Sequence, residues 1–350
     1  MGASMKVKGS AAVITGASSG IGRAAALRFA KAGADVVLAA RREEALKEVA
    51  DECREHGVRA LVVPLDVTDA EAVQALGDHA AEAFGRIDIW VNNAAVSLFG
   101  SLSSTPAEDF RRVLDVNIMG YVNGARAALK HFRPQRRGVL INVSSVVGEV
   151  PQPFTASYSI SKAGINALSA SIRSELLLEK LEGVHVVTVL PPTVDTPLFG
   201  QVANYTGRRV VPMPPVYSPQ RVADTILMGA KKPRHEMPVG QAARQMIAQH
   251  RASPATTEKL MAAQVDKKHL SRKEPSPATK GNLYESAPLE TAEVQGGWGG
   301  RRRQAKRRAL TGAVLAGGTV VAVPVAAAAG KAAAAALRAA SLSGSRSRGR

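Results

Sequence analysis

From Ser10 to about Val239, short continuous apolar runs alternate with longer helical stretches, and this alternation constrains the fold of the 350-residue chain more than any other feature. The runs AAVIT (11–15), DVVLAA (35–40), RALVVP (59–64), IDIWVNN (87–93), GVLINVSS (138–145) and VHVVTVLP (184–191) read as strands, with EMPV (236–239) a weaker seventh. They are continuously apolar, as strands covered on both faces should be. Helix-period stretches lie between them near 21–32, 43–56, 69–84, 106–132, 156–179 and 219–230. Such an order implies right-handed crossovers and an α/β fold: a doubly wound, Rossmann-like parallel sheet in one catalytic domain, expected over residues 1–245. Ligands of such sheets bind beyond the carboxyl ends of the strands.

The first such end carries TGASSGIG (15–22), which opens the first helix. Gly16, Gly20 and Gly22 let backbone approach a pyrophosphate closely, and a helix N-terminus offers it free N–H groups. Ser18 and Ser19 add hydroxyl donors. The second strand ends in Ala40-Arg41-Arg42. An NAD enzyme usually places a carboxylate here for the ribose 2′-hydroxyl, whereas guanidinium forks suit a 2′-phosphate. NADP(H) is therefore expected over NAD(H), although Glu43 and Glu44 could also neutralise the pair as a solvated helix start.

Tyr158-Ser-Ile-Ser-Lys162 follows the fifth strand, which ends at Ser144-Ser145. Positions i and i+4 of a helix share a face, so Lys162 lies one turn beyond Tyr158. A phenol with an ordinary pKa near ~10 is a poor base at neutral pH. A nearby ammonium favours its ionised form, and Ser145 can hold a substrate oxygen against it.

Together with the glycine loop, these residues resemble the short-chain dehydrogenase/reductase family in its single-domain form, over roughly residues 8–245. The resemblance implies a catalytic tetrad of Asn117, Ser145, Tyr158 and Lys162, with Asn117 maintaining a water-linked proton path to the lysine. It implies cofactor contacts from Gly16, Ser18, Ser19, Gly20, Ile21 and Gly22 in the loop, and from Arg41 and Arg42. It adds Asp66 and Val67 (in LDVTD) beside the adenine, Asn92 and Ala94 (in NNAA), Tyr158 and Lys162, and Pro191, Val194 and Thr196 after the sixth strand. The expected activity is hydride transfer between nicotinamide and a carbonyl or secondary alcohol. One departure stands out: Pro192 follows Pro191 where the family usually has glycine, which fixes φ and removes an N–H in the loop near the nicotinamide. Family members often form dimers or tetramers through the helices at 106–132 and 156–179, so a homodimer or homotetramer is expected.

Apolar residues Leu98, Phe99, Val147, Phe154, Leu198 and Phe199 lie in loops expected to flank the nicotinamide. A hydrophobic carbonyl or alcohol substrate would fit them, and ordinary loop packing would explain them equally well.

The net charge of +17 suggests nucleic acid, but its distribution does not. Residues 301–350 hold 11 Lys and Arg with no acid, and the first 300 carry 35 basic against 29 acidic residues, a net +6. No nucleic-acid role is expected. The single cysteine, Cys53, excludes an intrachain disulfide, the histidines lack paired ligand spacing, and no metal is expected. MGASMKVKGS holds no apolar signal core, so a cytoplasmic catalytic domain is expected. Residues 246–308 read as a polar, basic linker, 309–340 as an apolar Ala-rich helix and 341–350 as a disordered basic tail. The 309–330 run is long enough to cross a bilayer, and membrane anchor, docking helix and disorder all remain readings of it. A different class of function, a non-catalytic NADP(H)-binding sensor or scaffold with a membrane-associating tail, is the alternative.

Overall fold

A computed structural model of the protein describes residues 5–299. Along the chain β1 (Ala11–Thr15), α1 (Gly20–Lys31), β2 (Asp35–Ala40), α2 (Glu43–Arg54), β3 (Ala60–Pro64), α3 (Ala70–Phe84) and β4 (Ile89–Asn92) alternate. After a short strand β5 (Leu98–Phe99), helix α4 (Ala107–Leu114) runs through a π turn (Asp115–Met119) into α5 (Gly120–Gln135). Then come β6 (Gly138–Val143), α6 (Ala156–Leu178), β7 (Val184–Leu190), α7 (Leu198–Gln201), β8 (Ala203–Asn204), β9 (Arg208–Val210), α8 (Pro219–Lys231) and β10 (Glu236–Pro238). Helices α9 (Gly240–Ala252) and α10 (Pro254–Gln264) and strand β11 (Leu270–Pro275) follow.

Seven strands form one sheet in the order β10-β7-β6-β4-β1-β2-β3, every pair parallel. All six expected strands and the weaker seventh are present, and the sheet is the expected doubly wound one. Successive strand residues enter opposite layers, as the two-residue period requires. Ala12, Ile14, Val36, Leu38 and Ile141 join α1, α2 and α8, whereas Val13, Val37, Trp90 and Leu140 join α3, α5 and α6. Cys53 is buried in the first layer, where burial pushes its thiol up to about 12, so it is packing material and not a nucleophile.

Local signals set the helix ends. The Asp69 carboxylate caps α3 by accepting from the Ala72 amide at 3.0 Å, and Gly85 ends the helix in the left-handed region at φ 77°. Ser218 caps α8 with Pro219 as its first residue.

The expected irregular linker begins later than the sequence suggests. Ala243, Ile247, Met261 and Val265, on α9, α10 and the turn after it, pack with Val146, Val150, Leu190 and Met213. That apolar stripe orders residues 240–265 against the loops after β6 and β7. Irregular chain dominates only beyond β11. Residues 300–308 of the expected linker and the apolar and basic segments expected at 309–350 lie outside the described residues. Among the described residues, no helix is long and apolar enough to cross a membrane.

Candidate active site

Strand order reverses between β1 and β4, which opens a crevice at their carboxyl ends. Gly16, at φ 66°, lies so close to the turn after β4 that an added Cβ would sit 2.8 Å from the Ala94 Cα. A Cβ on Gly22 would press on the Gly16 carbonyl oxygen, so only glycine lets α1 start this tightly. The loop is braced by Asn93, whose side-chain amide donates to the Thr15 and Gly16 carbonyls at 3.0 and 3.2 Å. The Ala94 amide donates to the Thr15 hydroxyl at 3.2 Å.

Sequence reasoning chose Asn92 and passed over Asn93. The Asn92 side chain is buried between strands: it accepts from the Trp90 indole at 2.8 Å and donates to Asn142 Oδ1 at 3.0 Å. It ties β4 to β6, and its neighbour holds the glycine loop.

At the end of β6 the catalytic candidates converge. Lys162 is buried on α6 and its Nζ donates to the Val143 carbonyl at 2.9 Å. Its Nζ lies 5.4 Å from the centre of the Tyr158 ring and 5.2 Å from that of Tyr121. The Ser144 hydroxyl donates to the Lys162 carbonyl at 2.9 Å, which fixes helix to strand end. Ser145 is buried beside Tyr158, and its hydroxyl accepts from the Val147 amide at 3.2 Å. Gly148 permits the approach: a Cβ there would lie 2.7 Å from the Lys162 carbonyl carbon.

Burial pushes the Tyr158 phenol up to about 12, partly offset by the Ser145 hydroxyl. Burial pushes Lys162 the other way, down to about 7. Each shift disfavours the charged form in a poorly solvated site. Burial, not the lowering by Lys162 that the spacing suggested, dominates at Tyr158.

Asn117 sits in the π turn, a feature often found at functional sites. Its side chain accepts from the Val96 amide at 2.9 Å and donates to the Val96 carbonyl and the Ser161 hydroxyl, both at 3.0 Å. Both amide hydrogens are thus used within the protein.

Around the second strand end, burial pushes Asp66 up, but the Thr68 amide and hydroxyl and the Arg112 guanidinium outweigh it and hold the carboxyl below its ordinary range. Arg112 reaches Asp66 Oδ2 at 2.6 Å and was not singled out from the sequence. Arg41 and Arg42 are half-buried, and burial lowers both guanidinium groups. Arg42 also donates to the Ser18 hydroxyl at 3.3 Å. Val67 is buried, whereas Ser19 and Ile21 flank Gly20 half-buried at the start of α1.

After β7, Pro191 accepts from the Val146 amide at 3.0 Å. The path around Pro192 is fixed by Tyr217, whose amide donates to Thr193 at 2.9 Å and whose carbonyl accepts from Asp195 at 2.8 Å. Val194 and Thr196 are buried there, and a Cβ on Gly20 would meet the Thr196 methyl at 3.2 Å. The loop therefore lies directly against the glycine turn.

Of the apolar loop residues, Phe99, Phe154, Leu198 and Phe199 share one cluster with Val202, Val210 and Leu270. Leu98 instead enters the layer beneath the sheet, and Val147 is half-buried beside Ser145. The buried His269 stacks edge-on between Phe99 and Phe199, with ring centres 4.9 and 5.7 Å away. It follows α10 and was invisible in a segment read as linker.

The donor set suits a dinucleotide: a cradle that a Cβ would fill, N–H groups at a helix start and guanidinium pairs for phosphate. The model of the short chain dehydrogenases matches residues 10–206. The uncharacterized oxidoreductase YxnA of Bacillus subtilis is 37% identical over 283 residues, 80% of this chain and 79% of the relative. The 3beta-hydroxysteroid dehydrogenase 1 of Eggerthella lenta is 37% identical over 224 residues, 62% of this chain and 85% of the relative. Among solved structures, NAD+-bound xylitol dehydrogenase superposes with a TM-score of 0.60 at 26% identity, covering 67% of this chain and 99% of that one. An alcohol dehydrogenase from Thermococcus sibiricus, complexed with 5-hydroxy-NADP, gives 0.57 at 27% identity, over 65% and 95%.

Proposed function

The chain belongs to the short-chain dehydrogenase family, and from that premise we propose that it is an NADP(H)-dependent oxidoreductase interconverting a hydrophobic carbonyl and its alcohol. The observation that carries this reading is the meeting of Ser145, Tyr158 and the buried Lys162 at the carboxyl end of β6.

When bound, nicotinamide supplies or takes up the hydride. The chain's own residues handle the oxygen and its proton. Tyr158, with its phenol held at about 12, is protonated at neutral pH and is set to donate to a carbonyl oxygen during reduction. Ser145 donates a hydrogen bond to the same oxygen and steadies the developing negative charge. Lys162 holds the ribose and, when protonated, favours the tyrosinate that the oxidative direction requires. Asn117 supports proton resupply.

Gly16, Gly20 and Gly22, with Ser18, Ser19 and Ile21, would cradle the pyrophosphate. Arg41 and Arg42 favour a 2′-phosphate, a bidentate role that guanidinium groups perform well. Asp66 and Val67 would border the adenine, and Pro191, Val194 and Thr196 would border the nicotinamide. Asn92 and Ala94 support the groove from the turn after β4. The cluster around Phe99, Phe154 and Phe199 favours an apolar substrate, as the steroid named for the Eggerthella relative also suggests.

A homo-oligomer is part of the proposal. Helices α5 and α6 border a groove of about 450 Å³ whose apolar floor (Val122, Ala125, Leu129, Leu168, Ile172) is rimmed by Arg126, Lys130, Arg133 and Glu175. Ile160, Leu177 and Leu178 are exposed on α6. The non-catalytic alternative is disfavoured by the complete set Asn117, Ser145, Tyr158 and Lys162.

The test is a panel of hydrophobic ketones with NADPH and with NADH, followed by nicotinamide absorbance. NADPH-dependent turnover is expected. Tight NADPH binding with no turnover of any substrate would favour the sensor.

A further inference from the structure

The donors assigned to the dinucleotide already have partners, and the partners come from one segment near the end of the described chain. The Gly20 amide, first in α1, donates to the Glu293 carbonyl at 2.9 Å. The two terminal nitrogens of Arg41 donate to the Tyr284 and Asn282 carbonyls, both at 2.8 Å. Arg42 reaches the Pro288 carbonyl at 3.1 Å and the Thr291 hydroxyl at 3.2 Å. Arg112, bound to Asp66, also donates to the Leu283 carbonyl at 2.9 Å. Leu283 itself is fully buried in the layer that includes Leu65 and Val67. At the nicotinamide end, the Gly296 and Trp298 amides donate to Asp195 Oδ1 at 3.2 and 2.8 Å.

We propose that residues 282–298 are an intramolecular competitor of the dinucleotide: they occupy its groove in the cofactor-free protein and leave when NADP(H) binds. This rests on the NADP(H) reading given above. A backbone amide has one hydrogen, so the Gly20 N–H cannot serve Glu293 and a phosphate together. The contacts run from the adenosine end to Asp195, beside Thr196, and so span the groove that the dinucleotide needs. The exchange is chemically favourable, because neutral carbonyls give way to phosphate oxygens, whose charge-assisted bonds with guanidinium are roughly twice as strong. A segment that must open lowers the apparent affinity by the fraction of molecules in which it is closed.

Two glycines seat the segment. A Cβ on Gly296 would press on the Thr196 carbonyl oxygen, and one on Gly281 on the Gln201 carbonyl oxygen. Alanine at both positions should loosen the segment from its two ends; neither glycine is itself assigned to the cofactor, and the methyl added at Gly296 meets Thr196 only at its backbone carbonyl.

The experiment compares the full chain with the Gly281→Ala, Gly296→Ala double variant. NADPH affinity is read by fluorescence titration, and amide hydrogen exchange of residues 282–298 is read with and without NADPH. The double variant is expected to bind NADPH at least about fivefold more tightly. In the unaltered chain, NADPH is expected to speed exchange across 282–298. Unchanged or weaker binding by a folded variant, or slower or unaltered exchange of 282–298 under NADPH, overturns the competitor. The exchange measurement needs no variant, so it decides the matter even if the double variant misfolds. Binding of NADPH with 282–298 still in place defeats only this proposal, whereas NADPH binding to neither protein defeats the cofactor reading and the competitor with it.

Discussion

The Lys162 Nζ lies 5.4 Å from the centre of the Tyr158 ring, yet it donates its hydrogen bond to the Val143 carbonyl. The amine is thus anchored to the strand end and faces the phenol through space. Burial is the largest influence on both groups, with Tyr158 held near 12 and Lys162 near 7. The phenol is therefore protonated near neutral pH, whereas Lys162 titrates within reach of it. A phenol held protonated in this way is an acid ready for reduction.

Lys162 should leave a signature in stability against pH. Its folded pKa, about 7, is below the ordinary 10.5. Between those values the unfolded chain binds the extra proton, so stability rises with pH across that window. Denaturant midpoints of the natural chain and Lys162→Met, taken at pH 7 and pH 9, should diverge in favour of the natural chain by about 1 kcal/mol per pH unit. Parallel midpoints would mean that Lys162 keeps its proton.

Gly148→Ala tests the spacing of the site. The new methyl would meet backbone, 2.7 Å from the Lys162 carbonyl carbon and 3.0 Å from the Ala163 nitrogen, so the helix and the Ser145 turn must separate. A displacement of this kind can cost up to about 100-fold in rate. Steady-state kinetics should show kcat reduced while NADPH affinity changes little. An unchanged kcat would show that the site tolerates a wider gap.

Arg41 and Arg42 should set cofactor choice. Charge-assisted bonds are worth about 1.5–3 kcal/mol each. Changing both to alanine should therefore lower the ratio of NADPH to NADH affinity by roughly 10²- to 10⁴-fold. The ratio is the informative quantity, because both cofactors meet residues 282–298 alike. Titration of both cofactors checks it, and a constant ratio would place the 2′-phosphate elsewhere.

Much of this was legible in the sequence because burial on two faces writes continuous apolar runs. AAVIT and DVVLAA became β1 and β2 without a shift of boundary. The grouping of Ser145, Tyr158 and Lys162 was legible because one helix turn and one strand end carry it, whereas Asn117 came only from the family resemblance. Other parts have no such signature. The π turn at Asp115–Met119 changes hydrogen bonding without demanding particular side chains. Helix α10 begins at Pro254 in a polar stretch, and only Thr257 and Met261 within it are buried, too narrow a stripe to outweigh the composition. Residues 282–293 meet Gly20, Arg41, Arg42 and Arg112 largely through backbone carbonyls, which every sequence has. Asn93 was missed because Asn92, beside it, fitted the same motif.

The central claim is that the Tyr158 hydroxyl carries the proton, and Tyr158→Phe removes that oxygen alone. With a ketone substrate that the natural chain reduces, the variant should lose about 10²- to 10⁴-fold in kcat and keep its NADPH affinity. A phenylalanine variant that reduces the same ketone at the natural rate would contradict the account.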